Sequence, residues 1–340
     1  MRGTIAAIFL LSAAAAHAQF GVYTFSATDQ QAGNVNGFVA FVDATMTNIS
    51  PVATAKLGAN DPCTLHGFPV RLTTTIEFAA GHHAPFAVNA NLGPGLSDPI
   101  YLTRPCGTPY GVLENAGAHL TAVDQLGSAP TYGPSLIFPK GGLPLIGPND
   151  PASSQGATVA IAGWIGAQGC GGPGTPLLMG GVNQGATAQP VPYTTAPRTG
   201  AGIDTTGKVL IFIVVNGNEG SGNGLTLPDF ADLFAAFGAT NAVNMDGGGS
   251  STFAWNPAAI SNQPSPLVQT AVDNVKASYG SIIALALQNT TASPCYSHPH
   301  ALPGGCQSTP LSGGNQPPYR PVYANFGYVV AGAAKPTRAR

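Results

Sequence analysis

The sequence predicts an α+β (mixed α/β) fold: a β-rich single catalytic domain with a mixed sheet, few helices and long Gly/Pro loops. Three observations carry that expectation. Gly and Pro number 45 and 31 in 340 residues, about 22% of the chain, where average usage is about 12%. Apolar residues make up 44%, enough to bury one large core. Over most of the chain these apolar residues alternate with polar ones or form short continuous runs, the pattern of strands, and helical spacing is rare.

The first element is an export signal over residues 1–18. Arg2 supplies its positive end, residues 5–16 its apolar stretch, and Ala16-His17-Ala18 a small-residue cleavage site before Gln19. A secreted or periplasmic protein is expected. Residues 19–69 are expected as an N-terminal β segment packed on the main domain, because residues 23–50 alternate around Gly/Asn turns. The main domain is expected over 70–288. Within it residues 72–92 predict a helix opened by Thr73-Thr74-Thr75 and stopped by Gly81. A buried strand then ends at Asn89-Ala90-Asn91. Turn signals dominate residues 93–200, with short strands expected at 135–138 and 157–165.

The run Lys-Val-Leu-Ile-Phe-Ile-Val-Val at 208–215 predicts a strand covered on both faces. After a Gly/Asn loop, Thr226-Leu227-Pro228-Asp229 is a helix-capping pattern with Thr226 as the cap and Asp229 at the positive helix end. Leu227, Phe230, Leu233, Phe234 and Phe237 then share one helical face, and Gly238 ends it. A strand at 242–245 delivers Asp246-Gly247-Gly248-Gly249-Ser250-Ser251-Thr252, and a last strand is expected at 280–287. Residues 289–340 are expected as an irregular Cys/Pro/Gly-rich tail.

Charge narrows the function. Only 8% of residues are charged and the formal net charge is −2, leaving no basic field for nucleic acid. No apolar run long enough for a membrane span follows the N-terminus. Five cysteines in an exported chain are expected to pair: Cys295 with Cys306 around a short loop, and Cys63 with Cys106, leaving Cys170. Cys/His zinc spacing and a G-x-S-x-G elbow are both absent. No cofactor is expected, and a divalent cation such as calcium stays open. His82-His83 and His298-Pro299-His300 read as incidental clusters.

The candidate chemistry centres on Asp246. The chain has 14 acidic residues, and this one stands between a buried strand and three glycines. Gly247, Gly248 and Gly249 lack Cβ atoms, so their amides are able to approach an anion, and Ser250, Ser251 and Thr252 add hydroxyls. Arg198, followed by Thr199, offers a planar fork for phosphate or carboxylate, with Asp204 as its structural alternative. Asn89 and Asn91 alternate on one strand and so face one side, where their amides suit sugar hydroxyls. Glu219 and Glu114 are candidates for a second carboxylate.

These residues carry a resemblance. The block 243–252, its helix opening at 224–227 and Phe237-Gly238-Ala239 resemble the signature of the phosphodiester glycosidase family. Thr75 through Asn91, residues 197–204 and residues 273–284 resemble further family blocks in order. Val215-Asn216-Gly217-Asn218 departs from the family's V-D-G-R by a carboxylate and a guanidinium. The resemblance implies a hydrolase that cleaves a sugar-1-phosphodiester at the anomeric C–O bond, with a carbohydrate or glycosyl-phosphate substrate. Asp246 and Arg198 would be catalytic. Asn89, Asn91, Thr199, Gly247, Gly248, Gly249, Ser250, Ser251 and Glu219 would bind substrate. A secreted carbohydrate-binding protein without turnover, and a glycosidase of non-phosphorylated glycans, are the competing expectations.

Overall fold

The computed structural model describes residues 20–29, 33–91, 93, 106–119, 134–148, 156–163, 176–187, 195–217, 224–255, 264–278, 288–289, 322 and 324–330. Residues 1–18, Cys170, Cys295, Cys306, Asn218, Glu219, His298, His300 and the strand expected at 280–287 lie outside them. The amino-terminal strands are β1 (Phe20–Asp29), β2 (Gly33–Asp43) and β3 (Ile49–Ala53), followed by β4 (Val70–Arg71) and β5 (Phe86–Asn89). Short strands β6 (Cys106–Gly107), β7 (Leu113–Asn115) and β8 (Ala118–His119) lead to β9 (Pro134–Pro139), β10 (Leu145–Pro148) and β11 (Ala157–Ala162). The hairpin β12 (Leu178–Met179) and β13 (Val182–Asn183) precedes β14 (Arg198–Ile203), β15 (Val209–Val215) and β16 (Asn241–Asn244). The last described strands are β17 (Phe253–Trp255), β18 (Gln288–Asn289) and β19 (Asn325–Val330). Among the described residues there are four α-helices, and none is long and apolar enough to cross a membrane.

Eight strands form the central sheet in the order β13-β12-β16-β14-β15-β2-β1-β18. The expected mixed sheet is corrected: every described pairing in it is antiparallel. The run 208–215 and the strand before Asp246 are joined through a helix, as in a parallel crossover. However, β14 inserts between them and pairs antiparallel with both. Residues 19–69 also lie within this architecture, since β2 pairs with β15 from Val209↔Asp43 to Val215↔Gly37.

Alternation along β15 sends its side chains into two cores. Leu210, Phe212 and Val214 join Phe38, Val42, Phe86, Phe326 and Tyr328 on one face. Val209, Ile211, Ile213 and Val215 join Phe230, Phe234, Val268 and Val272 on the other. The first core lies between the central sheet and two smaller ones, β17-β5-β19-β3 and β10-β9-β11-β7-β8. The second lies under the helices Leu227–Ala236 and Pro266–Ser278. Both faces of the β15 run are covered, which is why it is apolar throughout.

The helix Leu227–Ala236 starts as expected, with the Thr226 side chain accepting from the Asp229 amide. Gly200 and Gly202 let it sit close to the sheet. A Cβ on Gly200 would come within 2.8 Å of Phe234 and 2.9 Å of Phe230. The helix Thr75–His82 is fixed by a capping box between Thr74 and Glu77. Gly81 does not stop it: His83 does, in the left-handed conformation at φ 52°, with its amide donating to Ala79 and Ala80 carbonyls. The tail is not wholly irregular either. Its strand β19 sits between β5 and β3, burying Phe326 and Tyr328.

Cys63 and Cys106 form a disulfide with a Cα separation of 5.4 Å and a sequence separation of 43. Loop-closure entropy for a ring of that length is about 4 kcal/mol. Replacing both cysteines by serine is expected to lower unfolding free energy by up to that amount. A urea midpoint unchanged by the double substitution would show that the crosslink constrains nothing in the unfolded chain.

Candidate active site

The register of the central sheet assembles the site. Gly200 pairs with Asn244 and Ala201 with Val243. One step further the Met245 amide donates to the Thr199 carbonyl at 2.8 Å. Past that bond the pairing slips by one residue, so Arg198 lies opposite the Asp246-Gly247 segment, 48 positions further along the sequence. The Gly248 amide then donates to the Pro197 carbonyl at 2.9 Å and closes the contact. A Cβ on Gly247 would lie 3.0 Å from the Pro197 carbonyl oxygen and 4.0 Å from an Arg198 terminal nitrogen. Glycine is what allows the loop to lie against the Pro197 carbonyl.

Asn89 joins this pair of strands to the second sheet. It is wholly buried, and its Nδ2 donates to the Asp246 carbonyl at 2.6 Å. Its Oδ1 accepts from the Thr199 hydroxyl at 2.8 Å and from the Thr252 amide at 3.0 Å. The Asp246 amide donates to the Ala90 carbonyl at 2.9 Å. Both backbone polar atoms of Asp246 are therefore held by the end of β5, and the residue is 7% exposed.

Arg198 is 6% exposed, and its Nε donates to the Leu225 carbonyl at 2.9 Å. Burial lowers its pKa to about 10, because desolvation disfavours the cation. It stays charged at neutral pH. Asp204 is not its partner: that carboxylate accepts from Thr206 and the Val209 amide in the turn at the far end of β14. The two ends of this six-residue strand stand roughly 17 Å apart.

Several of the expected site residues are engaged by the protein itself. Both ends of the Asn89 amide hold protein atoms. Asn91 is likewise wholly buried, with Nδ2 donating to the Tyr110 and Val112 carbonyls. Among the described residues its Oδ1 has no hydrogen-bond partner. The glycine-loop amides form no open anion cradle. Those of Gly248, Ser250 and Ser251 donate to Pro197, Gly247 and Gly248 carbonyls in a 3₁₀ turn. Ser250 is 2% exposed and Ser251 wholly buried, while Gly247 and Gly249 are half-buried. Glu114, in β7, is buried. Asn216 bonds Asn36 through both its amide and its side chain, so its departure from the family's aspartate coincides with a strand-to-strand contact. Among the described residues no three His, Cys, Asp or Glu side chains cluster as a metal site.

One residue next to the site escaped the sequence reading. Asn325 pairs with Asn89 across β19–β5 and reaches Thr73 through Nδ2. The alternation Asn325-Phe326-Gly327-Tyr328 is a strand signal, but it was masked by the Pro/Gly-rich composition around it.

The fold and this loop point to a class before any single relative. Residues 117–277 match the phosphodiester glycosidase family. That span holds β14, the Leu227–Ala236 helix and the Asp246 loop, so the resemblance read from the 243–252 block is borne out there. Asn89 and Asn91 precede it. Among solved structures, the zebrafish N-acetylglucosamine-1-phosphodiester alpha-N-acetylglucosaminidase catalytic domain, auto-inhibited by its pro-peptide, matches with a TM-score of 0.51. Identity is 15%, over 74% of this chain and 76% of that one, a likeness of fold. A hypothetical protein from Synechocystis matches at TM-score 0.44 and 13% identity, over 91% of this chain and 62% of that one. A candidate exported protein from Burkholderia pseudomallei matches at 0.43 and 14%, over 65% and 69%. These two scores are too low to bear on the reading. No curated protein matches the sequence significantly.

Asn89→Ala leaves the Thr252 amide and the Asp246 carbonyl without their buried partner. Each such orphan costs about 1–3 kcal/mol, so a loss of roughly 3 kcal/mol is expected by urea denaturation. Asn89→Asp keeps the acceptor but sets a buried carboxylate oxygen against the Asp246 carbonyl, and is expected to lose at least as much. Equal stability of wild type and Asn89→Ala would remove the amide from its joining role.

Proposed function

We propose that this protein hydrolyses glycosyl phosphodiesters, breaking the anomeric C–O bond of a sugar-1-phosphodiester after export guided by residues 1–18. The observation that carries this reading is the placement of Arg198 opposite the Asp246-Gly247 segment, within the span that matches the family. A carboxylate at Asp246 and a guanidinium at Arg198 would answer two needs of that reaction. The sugar carbon becomes oxocarbenium-like and is stabilised by a nearby carboxylate acting as base or nucleophile. The bond electrons leave with the phosphate oxygen, and a guanidinium neutralises that oxygen's charge.

In the overall reaction a water oxygen bonds to the anomeric carbon and the C–O bond to phosphate breaks. One water proton is released, and the products are a free sugar and a phosphomonoester. The leaving group has a second pKa of about 6, so it departs with little need for a general acid. Low acidic content is compatible with that chemistry. Asn89, Thr199 and Thr252 act indirectly, by fixing the Asp246 backbone. Ser250 and Ser251 stiffen the loop. Gly247, Gly249 and Glu219 stay candidates for direct contact with substrate, and a carbohydrate is the partner the site requires.

Asp246→Asn is expected to cut kcat/KM on a glycosyl phosphodiester by at least 10²-fold, in the range of a lost base or nucleophile. Circular dichroism is expected to stay native. Arg198→Ala is expected to lose about 10²-fold on the phosphodiester and less than tenfold on a nitrophenyl glycoside. Equal losses on both substrates indicate a glycosidase indifferent to phosphate, and saturable binding without released sugar indicates a binding protein. Undiminished turnover by Asp246→Asn removes that residue from the mechanism.

The pH dependence has a definite sign. Arg198 is cationic below its pKa of about 10, so phosphodiester KM is expected to be flat in this respect from pH 6 to about 9. It should rise as the guanidinium deprotonates near 10. The Arg198→Ala variant is expected to lack that alkaline rise, and a rise that persists in it assigns the effect to another group.

A further inference from the structure

A cavity of about 260 Å³ opens beside the helix Thr75–His82, and none of its lining residues is among the candidate site residues. Thr54, Arg71, Thr73, Glu77, Phe78 and His82 are among its lining residues. Its polar chemistry is mainly that of donors. The Thr54 hydroxyl oxygen accepts from the Asn325 amide at 2.8 Å, and the Thr73 hydroxyl oxygen accepts from Asn325 Nδ2 at 3.2 Å. With a lone pair of each already engaged by a buried donor, each hydroxyl keeps its own O–H to give. Neither has an acceptor among the described residues.

Arg71 adds a positive charge. It meets Asp61 through one terminal nitrogen at 3.0 Å and its side chain is 46% exposed, so other N–H groups of the fork remain open to a ligand. The lining also holds one carboxylate, Glu77, whose Oε2 accepts from the Thr74 amide and hydroxyl in the helix cap. Two rings, Phe78 and His82, add carbon surface to the lining. The His82 ring lies 4.5 Å from that of Phe78. Burial and neighbouring His83 hold the His82 pKa below its ordinary value, so the imidazole is neutral at neutral pH.

We propose that this cavity is a second ligand site that takes a compact phosphate monoester, its anion held by Arg71, Thr54 and Thr73 and its carbon skeleton lying along Phe78 and His82. Pockets for drug-sized molecules span about 300–1,000 Å³. This one is therefore matched to something smaller, inorganic phosphate or a monosaccharide phosphate. Neither the site's residues nor its occupant depends on the chemistry at Asp246.

The test is isothermal titration of the full chain with inorganic phosphate and, separately, with glucose 6-phosphate. A saturable site is expected in wild type and persists in Arg198→Ala, which removes the phosphate-holding cation of the Asp246 site. Arg71→Ala is expected to weaken it at least tenfold, the scale of one lost charge-assisted hydrogen bond, and Arg71→Lys to restore part of that. Because the Arg71–Asp61 pair is half-exposed, its loss leaves the fold intact. Tighter binding of glucose 6-phosphate assigns the site to a sugar phosphate, and equal binding assigns it to the free ion. The proposal is overturned by an absence of saturable heat in wild type. It is also overturned by undiminished affinity in Arg71→Ala, or by binding that disappears in Arg198→Ala.

Discussion

Asn89 touches three separate stretches of chain with one amide. It donates to the carbonyl of Asp246 and accepts from Thr199 and from the amide of Thr252. Those partners belong to the loop after β16, to β14 and to the loop's exit into β17. Asn89 itself ends β5 in a different sheet. In a buried setting each of these groups would cost about 1–3 kcal/mol if left unpaired. The geometry that satisfies all three also fixes where Asp246 stands. The position of the central carboxylate is thus set by an amide that has no chemistry of its own.

A second constraint is the closeness of the layers. Gly200 and Gly202 in β14 leave room for Phe230 and Phe234 of the helix that follows β15. Gly247 leaves room for the Pro197 carbonyl. The helix crossover from β15 to β16 reaches over β14, and its tight seat holds β16 in register with Arg198 and Thr199. Packing on one face of the sheet and polar contacts at its end therefore act on the same strand. A larger residue at Gly200 would push the helix outward and release the loop.

Local signals were legible because they rest on neighbours in sequence. The Thr226–Asp229 cap, the two-faced strand at 209–215 and the Asp246 block are each written within ten residues. The Gly81 stop failed because His83 adopts the left-handed turn despite carrying a side chain. The sugar-binding roles expected of Asn89 and Asn91 rest on alternation, which predicts a shared face. Alternation carries no information about what that face meets.

Composition and periodicity determined that this chain is strand-rich and loop-rich, that it has a carboxylate at the start of a glycine turn, and that its fold is poor in charge. The tertiary structure decided that β14 runs between β15 and β16, that β19 of the tail enters a sheet built largely from earlier residues, and that the loop amides turn inward. The physical reason is the range of the forces involved. Alternation and capping follow from side-chain direction and backbone donors a few residues apart. Strand order and the destination of a buried amide depend instead on which distant backbone groups remain unpaired once the layers have closed.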